Sequence, residues 1–280
     1  MKNLLSMELK RAFLSPILWI GILVEIGINI YHILLSSYGF TRYTTSSLFY
    51  NSSLICIIIG IFISLHIGYD FETRTINNKI TADYSRKQIY LVEVGTNAIC
   101  SSILFIVDII SVFVCSTIAH LEFDENVTYG SFIINATISL ICIITISSLF
   151  TMLAMITRKQ LLSLGLILLL AFGMLSFGEK AVSGLHQENT WSDPITQEIV
   201  DNPLYLKGIR RTTTNLHLLI SPFAQVKYEH DMLIAPEEKA DNSLILKNAP
   251  YHLEFCIFNL LELLLFCKIG IHLFKKQDLK

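Results

Sequence analysis

Three acidic residues fall inside long apolar runs, where an ionisable side chain is costly and is often functional. Glu25, Asp108 and Glu262 lie in or near the middle of these runs. In a bilayer such groups usually face the interior of a helix bundle or a water-filled cavity. They therefore predict either a translocation path for a cationic or polar cargo, or structural polar contacts between helices, or carboxyl groups that burial keeps protonated.

The sequence offers little for catalysis or metal binding. It contains no H-E-x-x-H pair, no C-x-x-C spacing and no G-x-x-x-x-G-K-[ST] loop. Four of the eight histidines lie in the segment 179–252, but their spacing matches no metal signature. All six cysteines fall within apolar runs, as small buried hydrophobic residues do. We expect no enzyme activity, no metal and no cofactor on this chain.

The elements that must hold these acids are membrane-spanning helices. Of the 280 residues, 52% are hydrophobic and 16% are charged, whereas globular domains carry about 25% charged residues. The composition predicts an all-α integral membrane protein. The net charge is −2, and no basic patch or binding motif indicates a nucleic-acid partner. Six runs are long enough to span a bilayer, at 16–35, 48–69, 95–118, 131–156, 161–178 and 253–273.

Lysine and arginine in the short loops predict the orientation of these spans. They concentrate at both termini and in the connections after the second and fourth spans, whereas the loop after the third span has none. Basic loops stay in the cytoplasm, so both termini are expected there. The basic residues are Lys2, Lys10, Arg11, Arg74, Lys79, Arg86, Lys87, Arg158, Lys159, Lys275, Lys276 and Lys280.

The chain divides into four parts on this basis. Residues 1–15 are expected to form an amphipathic helix at the membrane interface. Residues 16–178 hold the first five spans, 179–252 form a large external segment with short helices, and 253–280 hold the sixth span and a cytoplasmic tail. Within the external segment, "SDPITQEIVDNP" predicts one short helix. "NLHLLISPFAQV" is apolar but too short to span, which indicates a re-entrant or surface segment.

A polar segment at 70–93 interrupts the apolar runs on the predicted cytoplasmic side. Ile76, Ile80 and Tyr84 are spaced by four residues, which places them on one face of a helix. Such a helix is either a connector at the membrane surface or a helix that docks into a groove on a soluble partner.

This segment resembles the region after the second span of ABC-2 type permeases, the membrane subunits of ATP-binding-cassette exporters of the Gram-positive type. The resemblance extends to the six spans, the entry helix, "NPLY" and "SPFAQ". The family often has Gly at the position of Arg74 and Lys at that of Glu93, so the chain departs from it there. The residues that carry the match are Glu72, Thr75, Ile76, Ser85, Arg86, Ile89 and Tyr90.

The resemblance implies a coupling helix that rests on a separate ATPase. Two ATPase copies, which carry ATP and Mg²⁺, would drive this permease and a second copy, identical or related. The cargo would be an amphipathic substrate such as a peptide, antimicrobial or toxin, moved through the membrane lipid. The residues implied in contact with the ATPase are Glu72, Thr75, Ile76, Ile80, Tyr84 and Arg86.

Two other functions remain open from the sequence. A membrane receptor or scaffold could sense an external ligand through 179–252. An intramembrane enzyme would need a convergent catalytic set within the spans, and the carboxylate pair Glu237–Glu238 lies outside them.

Overall fold

The computed structural model describes residues 1–35, 43–124, 127–187, 189–192, 199–234 and 252–277. Within these ranges the chain is almost entirely helical, and six helices are long and apolar enough to cross a membrane. The predicted all-α fold with six spans is confirmed, and the chain has the architecture of a multi-pass membrane protein. The spans are Pro16–Leu34 (α2), Ser52–Glu72 (α3), Arg86–Ile118 (α5), Tyr129–Thr157 (α6), Gln160–Leu185 (α7) and His252–Lys276 (α10).

Four shorter helices accompany the spans. α1 (Lys2–Leu14) precedes the first span, and α4 (Thr75–Thr81) lies between α3 and α5. α8 (Ile209–Ile220) and α9 (Pro222–Ile234) precede α10 at the opposite end of the bundle. Successive spans run in opposite directions, so α1, α4 and the end of α10 share one end, the α4 end. α8 lies at the other, the α8 end.

Local signals explain where several helices begin. Pro16 occupies the first turn of α2, where its missing N–H costs nothing. α5 begins at Arg86 and not at the predicted residue 95, because Ser85 and Gln88 form a capping box that satisfies the first backbone amides. α5 therefore extends beyond its apolar run by nearly three turns toward the α4 end.

The spans pack as a bundle in which α6 is central. It contacts α3, α5, α7, α9 and α10, and α3 also packs along α7. α3 and α7 approach closely at the α4 end, where a Cβ built on Gly68 would lie 2.5 Å from the Cα atom of Gln160. This contact requires glycine at position 68.

The segment before α10 contains helices and a small hairpin. Strand β1 (Thr190–Ser192) pairs antiparallel with β2 (Ile199–Asp201). The short helix predicted from "SDPITQEIVDNP" is wrong for residues 199–201, and residues 193–198 lie outside the described residues. The chain breaks between α8 and α9 at Ser221–Pro222, as the proline after an apolar run requires.

Helix α9 is packed into the bundle over residues 222–230. Phe223, Ala224, Gln225 and Val226 are all buried, and the helix lies between α6 and α7. The backbone of Ala224 lies against Gly178 of α7. The "SPFAQ" stretch is thus an internal packing element.

Three spans leave most of their apolar surface open. The most apolar stretches of α2 and α7 are each 28% buried, and that of α10 is 17% buried. Apolar surfaces of this extent suit lipid or another membrane helix. Their exposed residues include Trp19, Leu23, Leu162, Leu169, Phe172, Leu260, Leu261 and Leu264.

Candidate functional site

The segment around α4 is the most constrained polar region that the structure describes. α3 ends at Glu72, and Arg74 then turns the chain in the left-handed conformation with φ 59°. α4 has only seven residues, and Asp83 adopts a second left-handed turn with φ 67° before α5. Two tight turns thus hold a short helix across the ends of α3 and α5.

A group of buried charged residues lies beneath α4 and joins four helices. We call it the charge cluster. It consists of Glu8 and Arg11 of α1, His66 and Asp70 of α3, Lys79 of α4 and Glu93 of α5.

Lys79 is the centre of the charge cluster. Its Nζ atom lies 2.8 Å from Glu8 Oε1, 2.7 Å from Asp70 Oδ2 and 2.7 Å from Glu93 Oε1. The side chain is 3% exposed and each carboxylate is 1% exposed. A single ammonium group therefore ties α4 to α1, α3 and α5 in a region from which water is largely excluded.

Arg11 completes the charge cluster from α1. Its guanidinium reaches Glu8 at 2.6 Å and Asp70 at 2.6 Å, and it donates to His66 Nε2 at 3.2 Å. Residues 1–15 were predicted to form an amphipathic helix at the membrane interface. In the structure Arg11 turns toward the ion pairs beneath α4, and Leu4 is buried in the core. α1 is thus docked onto the bundle.

The charges of the cluster do not balance, because three carboxylates face two cations. Burial raises the pKa of Glu8, and the neighbouring Glu93 raises it further, against the opposing effect of Lys79. Burial would lower the pKa of Lys79, but Glu93, Asp70 and Glu8 raise it overall. Lys79 therefore stays charged, and Glu8 is the carboxylate most inclined to carry a proton.

Glu8, His66 and Glu93 each bring a potential metal-ligand atom within 4.8 Å of the others. Both carboxylates already bind Lys79 Nζ, and the Nε2 lone pair of His66 accepts a hydrogen bond from Arg11. A divalent ion would need to displace these cations from their partners. The arrangement fits an ion-pair network better than a metal centre.

The residues predicted to contact an ATPase occupy different environments. Ile76 is 1% exposed and packs in the core, and Ile80 is half-buried against it. Tyr84 lies beyond the end of α4, so the predicted stripe of three on one helix is shortened to two. Ile76 and Ile80 face inward, because they pack on an apolar surface of the bundle. The sequence pattern alone could not locate that surface.

Arg86, Glu72 and Thr75 complete this set. The Nη1 atom of Arg86 donates to the carbonyls of Phe274 and Lys275, at the end of α10. Glu72 is exposed, and the hydroxyl of Thr75 lies 2.8 Å from that of Thr73. α4 and the turns on either side of it present a mainly polar surface outward. The exposed residues of this surface are Glu72, Thr73, Arg74, Asn78, Thr81, Ala82 and Asp83.

The acids predicted for a translocation path are separated in the fold. Glu25 and Asp108 are buried between α2, α3 and α5, with 0% and 1% of their surfaces exposed. Glu262 lies half-buried on α10, which packs against α5 and α6. The structure brings Glu25 and Asp108 into one polar region and does not bring Glu262 to it.

A second polar network joins α6, α9 and α10. Asn259 Nδ2 and Cys142 Sγ both donate to Gln225 Oε1, and Gln225 Nε2 donates to the carbonyl of Leu219 at 2.8 Å. Sequence reasoning missed Asn259 and Cys142, because each stands alone in an apolar run. Gln225, in the "SPFAQ" stretch, was the only member of this network that the sequence analysis had marked.

Comparison with known proteins adds no identification. No protein-family model matches the chain, and no curated protein matches it. Its function must therefore be argued from the chain's own residues.

Proposed function

We propose that this chain is the permease subunit of an ATP-binding-cassette exporter, driven by a separate ATPase through α4. The observation that carries the proposal is the two-sided character of α4. One side is fixed by Lys79 to α1, α3 and α5, and the other side presents exposed polar residues. A connector that served only to link two spans would need neither the tight turns nor the buried ion pairs.

The physical role of the charge cluster follows from its geometry. A displacement of α4 cannot separate Lys79 from Glu8, Asp70 and Glu93 without leaving the buried Glu93 carboxylate without its cation, which is costly. Movement applied to the outer surface of α4 is therefore transmitted to α1, α3 and α5 together. α1 continues into α2 through Ser15–Pro16, so the first span is included.

The resemblance to ABC-2 type permeases supplies the rest of the proposal. In this reading the α4 end faces the cytoplasm, both termini lie there, and the protein resides in a bacterial cytoplasmic membrane. Two ATPase copies would bind ATP and Mg²⁺, and a second permease, identical or related, would cover the apolar faces of α2 or α7. The cargo would be an amphipathic substrate such as a peptide, antimicrobial or toxin.

Co-purification with a candidate ATPase tests the proposal. The substitutions used must change the outer surface of α4 and leave the buried core unchanged. Asn78→Arg and Thr81→Arg alter only exposed positions of α4. We expect both to reduce ATPase binding and cargo-stimulated hydrolysis while the permease remains folded. Lys276→Glu changes an exposed charge at the same end, on α10, and should leave binding unchanged. Equal binding by all four proteins would refute the role of α4.

A receptor or scaffold remains the second candidate because of one groove. It measures about 460 Å³ and lies between α7 and α8, lined by Phe177, Lys180, Gly184, Leu206, Thr214 and His217. A receptor would bind its ligand in this groove without an ATPase partner. Failure to capture any ATPase, combined with ligand binding lost in a Lys180→Glu variant, would favour this function.

A further inference from the structure

Glu25 is an intramembrane carboxyl group with no compensating contact. None of its surface is exposed, and neither side-chain oxygen has a hydrogen-bond partner among the described residues. An ionised carboxylate in such surroundings is very costly unless it is paired. The group must therefore be neutralised, either by a proton or by a bound cation.

The charged and titratable groups around Glu25 do not neutralise it. Asp108 of α5 acts on it electrostatically and has the same sign of charge. Cys56 of α3 is also within electrostatic range, and Lys227 of α9 acts on Cys56. No Lys or Arg forms an ion pair with Glu25 among the described residues.

A proton fits this site better than a metal ion. Cations such as Ca²⁺ need six to eight oxygen ligands, and Mg²⁺ needs six. No other polar side-chain atom described by the structure hydrogen-bonds to the Glu25 oxygens, so nothing is placed to complete such a shell. A proton needs only the carboxylate oxygen itself.

A line of hydrogen bonds connects this region with the α8 end. Asn51, at the start of α3, donates to Asn29 Oδ1 at 2.7 Å. Asn29 Nδ2 in turn donates to Asp108 Oδ1 at 2.8 Å and to Ser111 Oγ at 2.6 Å. Asn29 lies one helical turn from Glu25, about 6 Å along α2.

Aromatic and histidine side chains continue this line outward. The rings of His32 and Tyr50 stack with centroids 4.4 Å apart, and His230 packs edge-on against Tyr50 at 5.6 Å. The Nδ1 atom of His230 also lies 2.8 Å from the carbonyl oxygen of Leu48. Polar groups therefore extend from the α8 end to within one turn of Glu25.

We propose that Glu25 is a proton-binding site, loaded by water that enters from the α8 end past the polar groups of Asn51, Asn29 and Asp108. Loading transfers one proton from a hydronium ion, which is left as water, to the Glu25 carboxylate and forms one O–H bond. The site itself rests on the geometry of α2, α3 and α5, and its use in transport rests on the proposed permease function. Loading of Glu25 would then make export depend on the pH at the α8 end.

Infrared spectroscopy of the full chain in lipid tests the site directly. A protonated carboxyl group has a C=O stretch that shifts in heavy water. We expect carboxylic-acid absorption at neutral pH that is reduced by the contribution of one group in Glu25→Gln, whose neutral amide preserves the shape of the protonated side chain. Glu254→Gln removes an exposed acid of α10 and should retain the band. Persistence of the full band in Glu25→Gln would overturn the proposal.

The route is tested separately by the rate of the heavy-water shift. Asn51→Leu and Asn29→Leu interrupt the line of hydrogen bonds and should retain the band but slow its shift. A purely structural role for these amides would leave the rate unchanged, and that result would refute the route. Both measurements omit the ATPase, so their failure is distinguishable from failure of the proposed function.

Discussion

Lys79 of α4 lies 2.7 Å from Glu93 of α5, and both side chains are almost completely buried. Buried ion pairs are not in themselves a strong source of stability, because desolvation opposes the attraction. Their removal is nonetheless costly when one partner remains. This asymmetry makes the pair informative, since single and double substitutions at the two positions have different expected results.

Replacement of Lys79 by Met should destabilise the protein by about 3–5 kcal/mol, because three buried carboxylates lose their shared cation. The free energy of unfolding in detergent or nanodiscs measures this. Lys207→Met is the control, because it removes an ion pair between two exposed side chains, Lys207 (60% exposed) and Asp201 (76% exposed). It should have almost no effect on the free energy of unfolding.

Addition of Glu93→Gln to Lys79→Met should recover part of the lost stability, because it removes one of the unpaired charges. Additive losses in the double variant would show that the two residues are not coupled, contrary to the 2.7 Å contact.

The stability of the charge cluster should depend on pH through Glu8. Its pKa in the folded protein is raised above the ordinary value of 4.5, mainly by burial. The folded state then binds this proton more tightly than the unfolded state. The resulting stabilisation is complete below pH 4.5 and is lost as pH rises through the raised pKa.

The difference in unfolding free energy between the wild type and Glu8→Gln isolates this effect, since other groups titrate in both proteins. His66, Arg11, Asp70, Lys79 and Glu93 surround Glu8 and are common to the pair. We expect the wild type to lose stability relative to Glu8→Gln as the pH rises. A constant difference across this range would contradict the raised pKa of Glu8.

Arg74 occupies a backbone conformation that favours glycine. Its φ of 59° and ψ of 19° lie in the left-handed region, which costs a residue with a Cβ about 1–2 kcal/mol. The ABC-2 type permeases that this segment resembles often have Gly at this position. Arg74→Gly should therefore be about 1 kcal/mol more stable than Arg74→Ala. Both lose the same exposed charge, so equal melting temperatures would mean that the left-handed turn is not maintained.

The sequence predicted the spans well because a bilayer requires about 20 apolar residues whatever their partners. The charge cluster was not predicted. Lys79 and Glu93 are 14 residues apart, and Arg11 lies 59 positions from Asp70, so neither pairing follows from local spacing. The inward direction of Ile76 was equally inaccessible, because periodicity identifies a face but not what covers it.

The contact between Gly68 and Gln160 provides a test of how α3 and α7 meet at the α4 end. A Cβ at position 68 would lie 2.5 Å from a backbone atom, so Gly68→Ala must push the two helices apart. We expect a loss of about 1–3 kcal/mol in unfolding free energy, typical of overpacking. Gly165→Ala serves as the control on α7, because no atom lies within 4 Å of its added Cβ. It should be neutral or slightly stabilising, since alanine favours helix more than glycine does. Equal stability of the two variants would contradict the close approach of α3 and α7.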